Sequence, residues 1–282
     1  MRARYLYSPG EDVIKYGLPP QDGGWHGFRF GSESCVHLLP SIPDLGRLRQ
    51  SCGSSPCSLV TPVSGPSDLE MVLQTAREAL SADWDEVVVN DWGVLSELSP
   101  GNGDAITAGR LLLRLRRGPG TFDPWSSLDE DSRRYFAWGP LYDGSFLSFL
   151  MDMGVPRLEI DAPRHWMPLP EVKGFQLSFH ADSRLVSIAS RCPWLYSPAE
   201  DRWEQPARCR RACMVSGPVL MYAGPLGKPL MHRGREILED ASGDWREKDL
   251  PGNIDRLVFS SGPIIGMESA KCLLGDGQGV GE

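Results

Sequence analysis

In Glu86-Val-Val-Val-Asn-Asp-Trp-Gly-Val-Leu-Ser-Glu-Leu98 a strand gives way to a helix within two residues. The three valines form a β-branched run that suits a buried strand. Asn90 and Asp91 close it, and a helix is predicted over 92–98, with Asp91 placed to accept its first amide hydrogens. The same change occurs upstream. Ser58-Leu-Val-Thr-Pro-Val63 reads as a strand, and Ser67 as the cap of a helix running to Leu80. In that helix Leu69, Val72, Leu73, Ala76 and Leu80 recur at spacings of three and four. Further strands are expected at 105–109, 157–161, 174–180 and 185–190, with a helix at 145–153. Alternating strands and helices favour a parallel sheet. The chain's 282 residues also fit a (β/α) barrel of about 250 residues. The expected fold class is therefore α/β, a TIM-barrel-like scaffold. Residues 219–222, 230–232 and 256–259 read as short strands with no helices between them. The expected division is a barrel-like domain over 1–215, a β-rich C-terminal portion over 216–270 and a loose Gly-rich tail over 271–282.

Composition narrows the function. Lys and Arg number 29 against 37 Asp and Glu, a net charge of −8. An acidic chain lacks the global basic surface of a non-specific nucleic-acid binder, so no strong nucleic-acid signal is present. No apolar run approaches the ~20 residues of a membrane span. The N-terminus carries two arginines without the apolar core of a signal peptide, and a cytoplasmic location is expected.

The seven cysteines are Cys35, Cys52, Cys57, Cys192, Cys209, Cys213 and Cys272. In a reducing compartment clustered cysteines more often bind metal or do redox chemistry than form structural disulfides. Cys192, Cys209 and Cys213 follow a Cys-x16-Cys-x3-Cys spacing, directly after what reads as a parallel strand. In a barrel that is the end where active sites form. Cys35 is the candidate for a fourth ligand, with Cys52 or Cys57 as alternatives. Four thiolates suit either a 4Fe–4S cluster or zinc, and unliganded packing is the ordinary alternative. Arg191, Arg208, Arg210 and Arg211 flank the candidates and would offset a cluster's negative charge; solvated loop charges are the plainer reading.

Val88-Val-Asn-Asp-Trp-Gly-Val-Leu95 resembles the strand-to-helix signature of the collagenase-like peptidase family U-32, and Gly154-Val-Pro-Arg-Leu-Glu-Ile-Asp161 resembles a later strand of that family. The cysteine pattern is similar to that of its UbiV-type members. These carry a 4Fe–4S cluster on one N-terminal cysteine plus a later Cys-x12-Cys-x3-Cys, and work with a second member in oxygen-independent ubiquinone biosynthesis. Here the first later gap is sixteen residues. The resemblance spans about residues 28–211. It implies that Cys35, Cys192, Cys209 and Cys213 hold a 4Fe–4S cluster. It also implies an oxygen-independent hydroxylation of a small molecule, of ubiquinone type or other, in a heterodimer with a second protein of the family. RNA base hydroxylation is a further target class. A non-catalytic partner subunit stapled by zinc or a cluster is the alternative from another class, and peptidase activity is disfavoured because neither a Gly-x-Ser-x-Gly elbow nor a metalloprotease helix is present.

Other features divide between function and packing. Cys52 and Cys57, with four residues between them, could bind metal or form a redox pair. His37 follows Cys35 closely, and His180 ends a strand. The remaining histidines, His26, His165 and His232, read as structural. Glu159 and Asp161 share one strand face and could line a barrel mouth. Arg110 and Arg114 would share a helix face in the arginine-rich 110–117 segment, able to bind a carboxylate-rich molecule or to pair with the acidic run at 129–131. Trp194 and Trp203 flank the cysteine loop and could shield a cluster from water.

Overall fold

A computed structural model describes residues 2–19, 24–113, 115, 125–197, 199–205, 209–216, 219–221 and 230–260. The tail at 271–282 with Cys272, together with Arg114, Arg116, Arg117 and Arg208, lies outside the described residues.

Eight parallel strands close into a barrel. In chain order they are β1 (Ala3–Ser8), β2 (Gly27–Gly31), β3 (Cys57–Val60), β4 (Glu86–Val89), β5 (Ile106–Ala108), β6 (Arg157–Asp161), β7 (Gln176–His180) and, after an insertion, β14 (Ile254–Ser260). β14 lies between β7 and β1 and closes the ring. Helices α1 (Glu11–Tyr16), α2 (Ile42–Cys52), α3 (Leu69–Ser81), α4 (Trp92–Leu98), α5 (Glu130–Trp138) and α6 (Gly144–Asp152) connect the strands. No described helix is long and apolar enough to cross a membrane.

The pleat sorts the side chains into two cores. Outward-facing Phe28, Phe30, Leu59, Val87, Val89, Leu158, Ile160, Leu177 and Phe179 pack against helix residues such as Leu48, Val72, Ala76 and Leu95. Inside the barrel the apolar filling is small: Tyr5, Tyr7, Val60, Val88 and Val258. Charged side chains take the rest of the interior.

The 86–98 stretch folds as its sequence requires. Asp91 Oδ1 accepts from the amides of Gly93 (2.8 Å) and Val94 (3.1 Å) and caps α4. Asn90 ties two loops together, its amide donating to the Thr61 carbonyl (3.1 Å) and its oxygen accepting from Leu111 N (3.3 Å). Upstream, Asp68 rather than Ser67 precedes α3. Gly31 ends β2 at φ +122°, and a Cβ there would stand 2.1 Å from the Val60 carbonyl oxygen of the neighbouring strand. Gly31→Ala is therefore expected to cost ~3 kcal/mol or more. A urea midpoint within error of the parent would show that β2 can yield there.

Two sequence expectations are corrected. The 185–190 strand is not a barrel strand. It belongs to β8 (Ser183–Ile188), which forms an antiparallel sheet with β11 (Val219–Met221), β12 (Leu230–Arg233) and β13 (Glu236–Asp240), while β9 (Tyr196–Ser197) and β10 (Arg202–Trp203) pair as a separate two-stranded ribbon. Its two-residue alternation suits a half-covered antiparallel strand equally well, so the sequence pattern does not separate the cases. The 256–259 strand, conversely, is barrel strand β14. The barrel therefore resumes after residue 215, and the small sheet is an insertion between its seventh and eighth strands.

Candidate functional site

The C-terminal ends of the barrel strands carry a charge network. In β6 the two-residue period turns Arg157, Glu159 and Asp161 inward, as expected for the last two. In β7 it does the same for Ser178 and His180, and in β2 for Arg29. The turns after β2 and β5 add Glu33 and Arg110. Each of Arg29, Glu33, Arg110, Glu159, Asp161 and His180 is buried, at 3% exposure or less. Arg110 forks across the mouth. Its Nη2 and Nε donate to Glu33 (2.6 and 2.9 Å), and its Nη1 donates to Asp161 Oδ1 (2.5 Å) and the Ser183 carbonyl (3.1 Å). Arg29 donates to Glu159, and His180 Nε2 lies 3.3 Å from Glu159 Oε2 and 3.9 Å from Glu33 Oε1.

Three carboxylates thus meet two guanidiniums, with His180 between Glu33 and Glu159 as the group able to carry a balancing proton. Among the described residues, Glu33, Glu159 and His180 form the one triple of potential metal-ligand atoms that all lie within 4.8 Å of one another. Both carboxylates are already engaged by guanidiniums, Glu159 by Arg29 and Glu33 by Arg110. Arg29 Nε, Ser178 Oγ and His180 Nδ1 are buried without hydrogen-bond partners. No hydroxyl is therefore held against that nitrogen of His180.

Burial alone would raise the Glu159 pKa, but Arg29 and His180 outweigh it and hold the carboxyl at about 2. Asp182, in the turn after β7, goes the other way. Its burial dominates and lifts its pKa to about 6, although the Ser260 amide donates to Oδ2 at 2.6 Å. An aspartate whose folded pKa exceeds its unfolded value of about 3.9 favours the fold most below pH 4, and that contribution is lost as pH rises through 6. Asp182→Asn is expected to flatten the stability profile between pH 4 and 6 and to stabilise the protein at pH 7 by about 1–3 kcal/mol. Denaturation midpoints across that range test it, and an unchanged slope would refute it.

The insertion brings the sequence-distant cysteines together. Cys35 follows β2, Cys192 follows β8, Cys209 precedes helix α7 (Ala212–Ser216), and Cys213 lies within α7. Cys35 and Cys213 are buried, whereas Cys192 and Cys209 are half-buried. Burial pushes the Cys35 thiol up to about 11, and the neighbouring Cys209 and Cys192 push it the same way. Burial likewise lifts Cys213 to about 11, reinforced by Cys192, Cys35 and Cys209. Cys192 is raised by burial and by Cys209. Each sulfur thus stands within electrostatic reach of others in the set. Among the described residues, no three of these sulfurs all lie within 4.8 Å of one another.

Backbone amides point at two of these sulfurs, that of His37 at Cys35 and those of Trp194 and Leu195 at Cys192. His37 thus contributes through its main chain. The short hairpin between β12 and β13 lies between the thiols and the barrel mouth. Gly234 at its turn lies against Cys213, so that a Cβ there would be 3.7 Å from Sγ. On its other side Glu236 accepts from Ser34 Oγ (2.9 Å) and from Arg233 (2.8 Å).

Other expected residues are placed elsewhere. Cys52 and Cys57 are buried in the outer core and share a thiol hydrogen bond. Cys57 opens β3 opposite Phe28, at the far end of the strands from Cys35, so neither thiol belongs to the quartet. Arg110 lies in no helix and makes no pair with 129–131; it is buried in the mouth because two carboxylates meet it there. In that acidic run Asp129 caps α5, and Glu130 and Asp131 pair with Arg134. Arg191 stacks on Trp203 at 5.9 Å, and Trp203 is 41% exposed, so it faces water rather than shielding the thiols. His26 accepts from the Arg4 amide, and His165 stacks on Trp125.

Sequence reasoning passed over Arg29, Glu33, Asp182 and Arg235. Arg29 carried a usable signal, since a charge between Phe28 and Phe30 in a strand must point to the opposite face. The others lie in turns, where no period assigns a direction.

No family profile and no curated protein sequence matches the chain. Among solved structures it is similar to the U32 peptidase Mk0906, with a TM-score of 0.46, 10% identity and 93% of both chains covered. It is also similar to dihydropteroate synthase of Burkholderia cenocepacia, with a TM-score of 0.36, 15% identity, and 64% of this chain and 70% of that one covered. A glycoside hydrolase family 18 N-acetylglucosaminidase of Paenibacillus barengoltzii gives a TM-score of 0.33, 11% identity, and coverage of 92% and 94%. Likeness at this level transfers no activity; the barrel itself rests on the strand pairing above.

Proposed function

We propose that the chain is a 4Fe–4S protein on a barrel scaffold, with Cys35, Cys192, Cys209 and Cys213 as the ligands. The observation that supports this reading is the quartet itself: four cysteines from two distant segments, with Cys209 and Cys192 acting on Cys35, and Cys192, Cys35 and Cys209 acting on Cys213. Crowded, partly buried thiols are poor thiolates alone, and a metal displaces their protons. When bound, such a cluster supplies one-electron transfer.

The chain's own residues supply the surroundings. The Cys209 and Cys213 segment and the Cys192 loop come from the insertion, and Cys35 comes from the barrel. In the mouth, Arg29 binds Glu159 and Arg110 binds Glu33, with His180 Nε2 between the two carboxylates. The reading extends, on the strength of the U-32 resemblance, to an oxygen-independent hydroxylation of a small molecule together with a second protein of that type.

Anaerobic purification followed by iron, sulfide and zinc analysis tests the reading. About four irons and four sulfides per chain are expected. One zinc without sulfide would instead make the insertion a metal-stapled binding module, and a metal-free protein with unchanged stability would overturn both readings.

A further inference from the structure

We propose that Arg235 is the positioning residue of the thiol site: one guanidinium ties the Cys35 loop to the Cys192 loop and sets a fixed positive charge beside both sulfurs. Arg235 Nη1 donates to the Ser34 carbonyl at 3.0 Å, one residue before Cys35. Its Nε donates to the Ala189 carbonyl at 2.9 Å and its Nη2 to the Ser190 carbonyl at 3.4 Å, both just before Cys192. The Arg235 carbonyl in turn accepts from the Ala189 amide at 2.8 Å, so the residue is held at both ends.

The planar fork explains why this residue is arginine. Five N–H donors in a fixed plane can reach carbonyls on two loops at once, whereas an ammonium is a point donor. The two loops come from different parts of the fold, and the Ser34–Glu236 hydrogen bond joins the first of them to β13 beside the arginine. One leaves the barrel at β2 and the other leaves the small sheet at β8, and the sequence between them exceeds half the chain. The guanidinium thereby stands beside the residues just before Cys35 and Cys192, the pair whose loops it spans. Of the arginines that flank the cysteines in sequence, Arg191 is turned onto Trp203 instead. The charge role rests on the iron–sulfur reading above, whereas the clamp does not.

The test compares the parent with Arg235→Met and Arg235→Lys, in the metal-free and the reconstituted protein. In the metal-free protein, iodoacetamide labelling mapped by mass spectrometry reads the clamp. Arg235→Met is expected to speed labelling of Cys35 and Cys192 about tenfold, the change in local opening that follows loss of a charge-assisted hydrogen bond. Cys52 and Cys57 should label at the parent's rate and so report that the barrel is intact. In the reconstituted protein, Arg235→Met is expected to move the reduction potential to a more negative value. Arg235→Lys should keep the potential near the parent's while labelling stays fast, which separates charge from clamp. Unchanged labelling of both cysteines in both variants overturns the proposal. Fast labelling in a protein that assembles no cluster would instead sustain the clamp and refute the iron–sulfur reading.

Discussion

Alanine at any one of Cys35, Cys192, Cys209 or Cys213 is expected to leave protein that retains less than about half of the parent's iron and sulfide after anaerobic reconstitution. Alanine at Cys52 or Cys57 is expected to leave the metal content unchanged. The asymmetry follows from placement. The quartet's sulfurs act on one another across the junction of barrel and insertion, while Cys52 and Cys57 are free thiols hydrogen-bonded to each other in the outer core at the opposite end of the strands. The core pair should instead show a stability loss without a metal loss. Iron and sulfide assays beside urea midpoints separate the two effects. A Cys35→Ala protein with a full complement of iron would remove Cys35 from the ligand set.

Arg110→Met is expected to destabilise the fold by about 3–5 kcal/mol, the usual cost of removing one partner from a buried ion pair. Arg110 is 3% exposed, and its removal leaves the buried carboxylates of Glu33 and Asp161 facing each other without their shared cation. Arg110→Lys should fall between, because an ammonium keeps the charge but cannot fork to both acids. Adding Glu33→Gln and Asp161→Asn to Arg110→Met should recover more than half of the loss, since neutral amides no longer need a cation. Urea unfolding at pH 7 with an unchanged m-value measures all three. A loss below ~1 kcal/mol for Arg110→Met would mean that water reaches these carboxylates and screens them.

Much of the barrel was legible in the sequence. Short β-branched runs followed by amphipathic helices carry their own signal, and β4, α4 and β6 fall where the residues predict them. Asp91 caps its helix because a short acidic side chain before the first turn has local amides to accept from. The first strand was harder to see. Ala3–Ser8 has its apolar side chains on both faces, Tyr5 and Tyr7 inward and Leu6 outward, and no clean alternation marks it. The strand at 185–190 was legible as a strand but not as a member of the small sheet, since sheet membership depends on partners remote in the chain.

The candidate site divides the same way. Glu159 and Asp161 were readable as one face of a strand, and the cysteine spacing was readable as a ligand pattern. That Arg110 sits between Glu33 and Asp161, and that Arg235 bridges the loops of Cys35 and Cys192, was not readable. What the sequence by itself determined is local: which segments extend, which coil, where helices start, and which side chains share a face. These follow from periods of two and 3.6 residues and from hydrogen bonds that close within a few positions. What only the tertiary structure decided is which charges meet. In the mouth, a guanidinium and its carboxylates are brought together from positions up to 130 residues apart, and their pairing is set by the low-dielectric space they must share once the barrel closes.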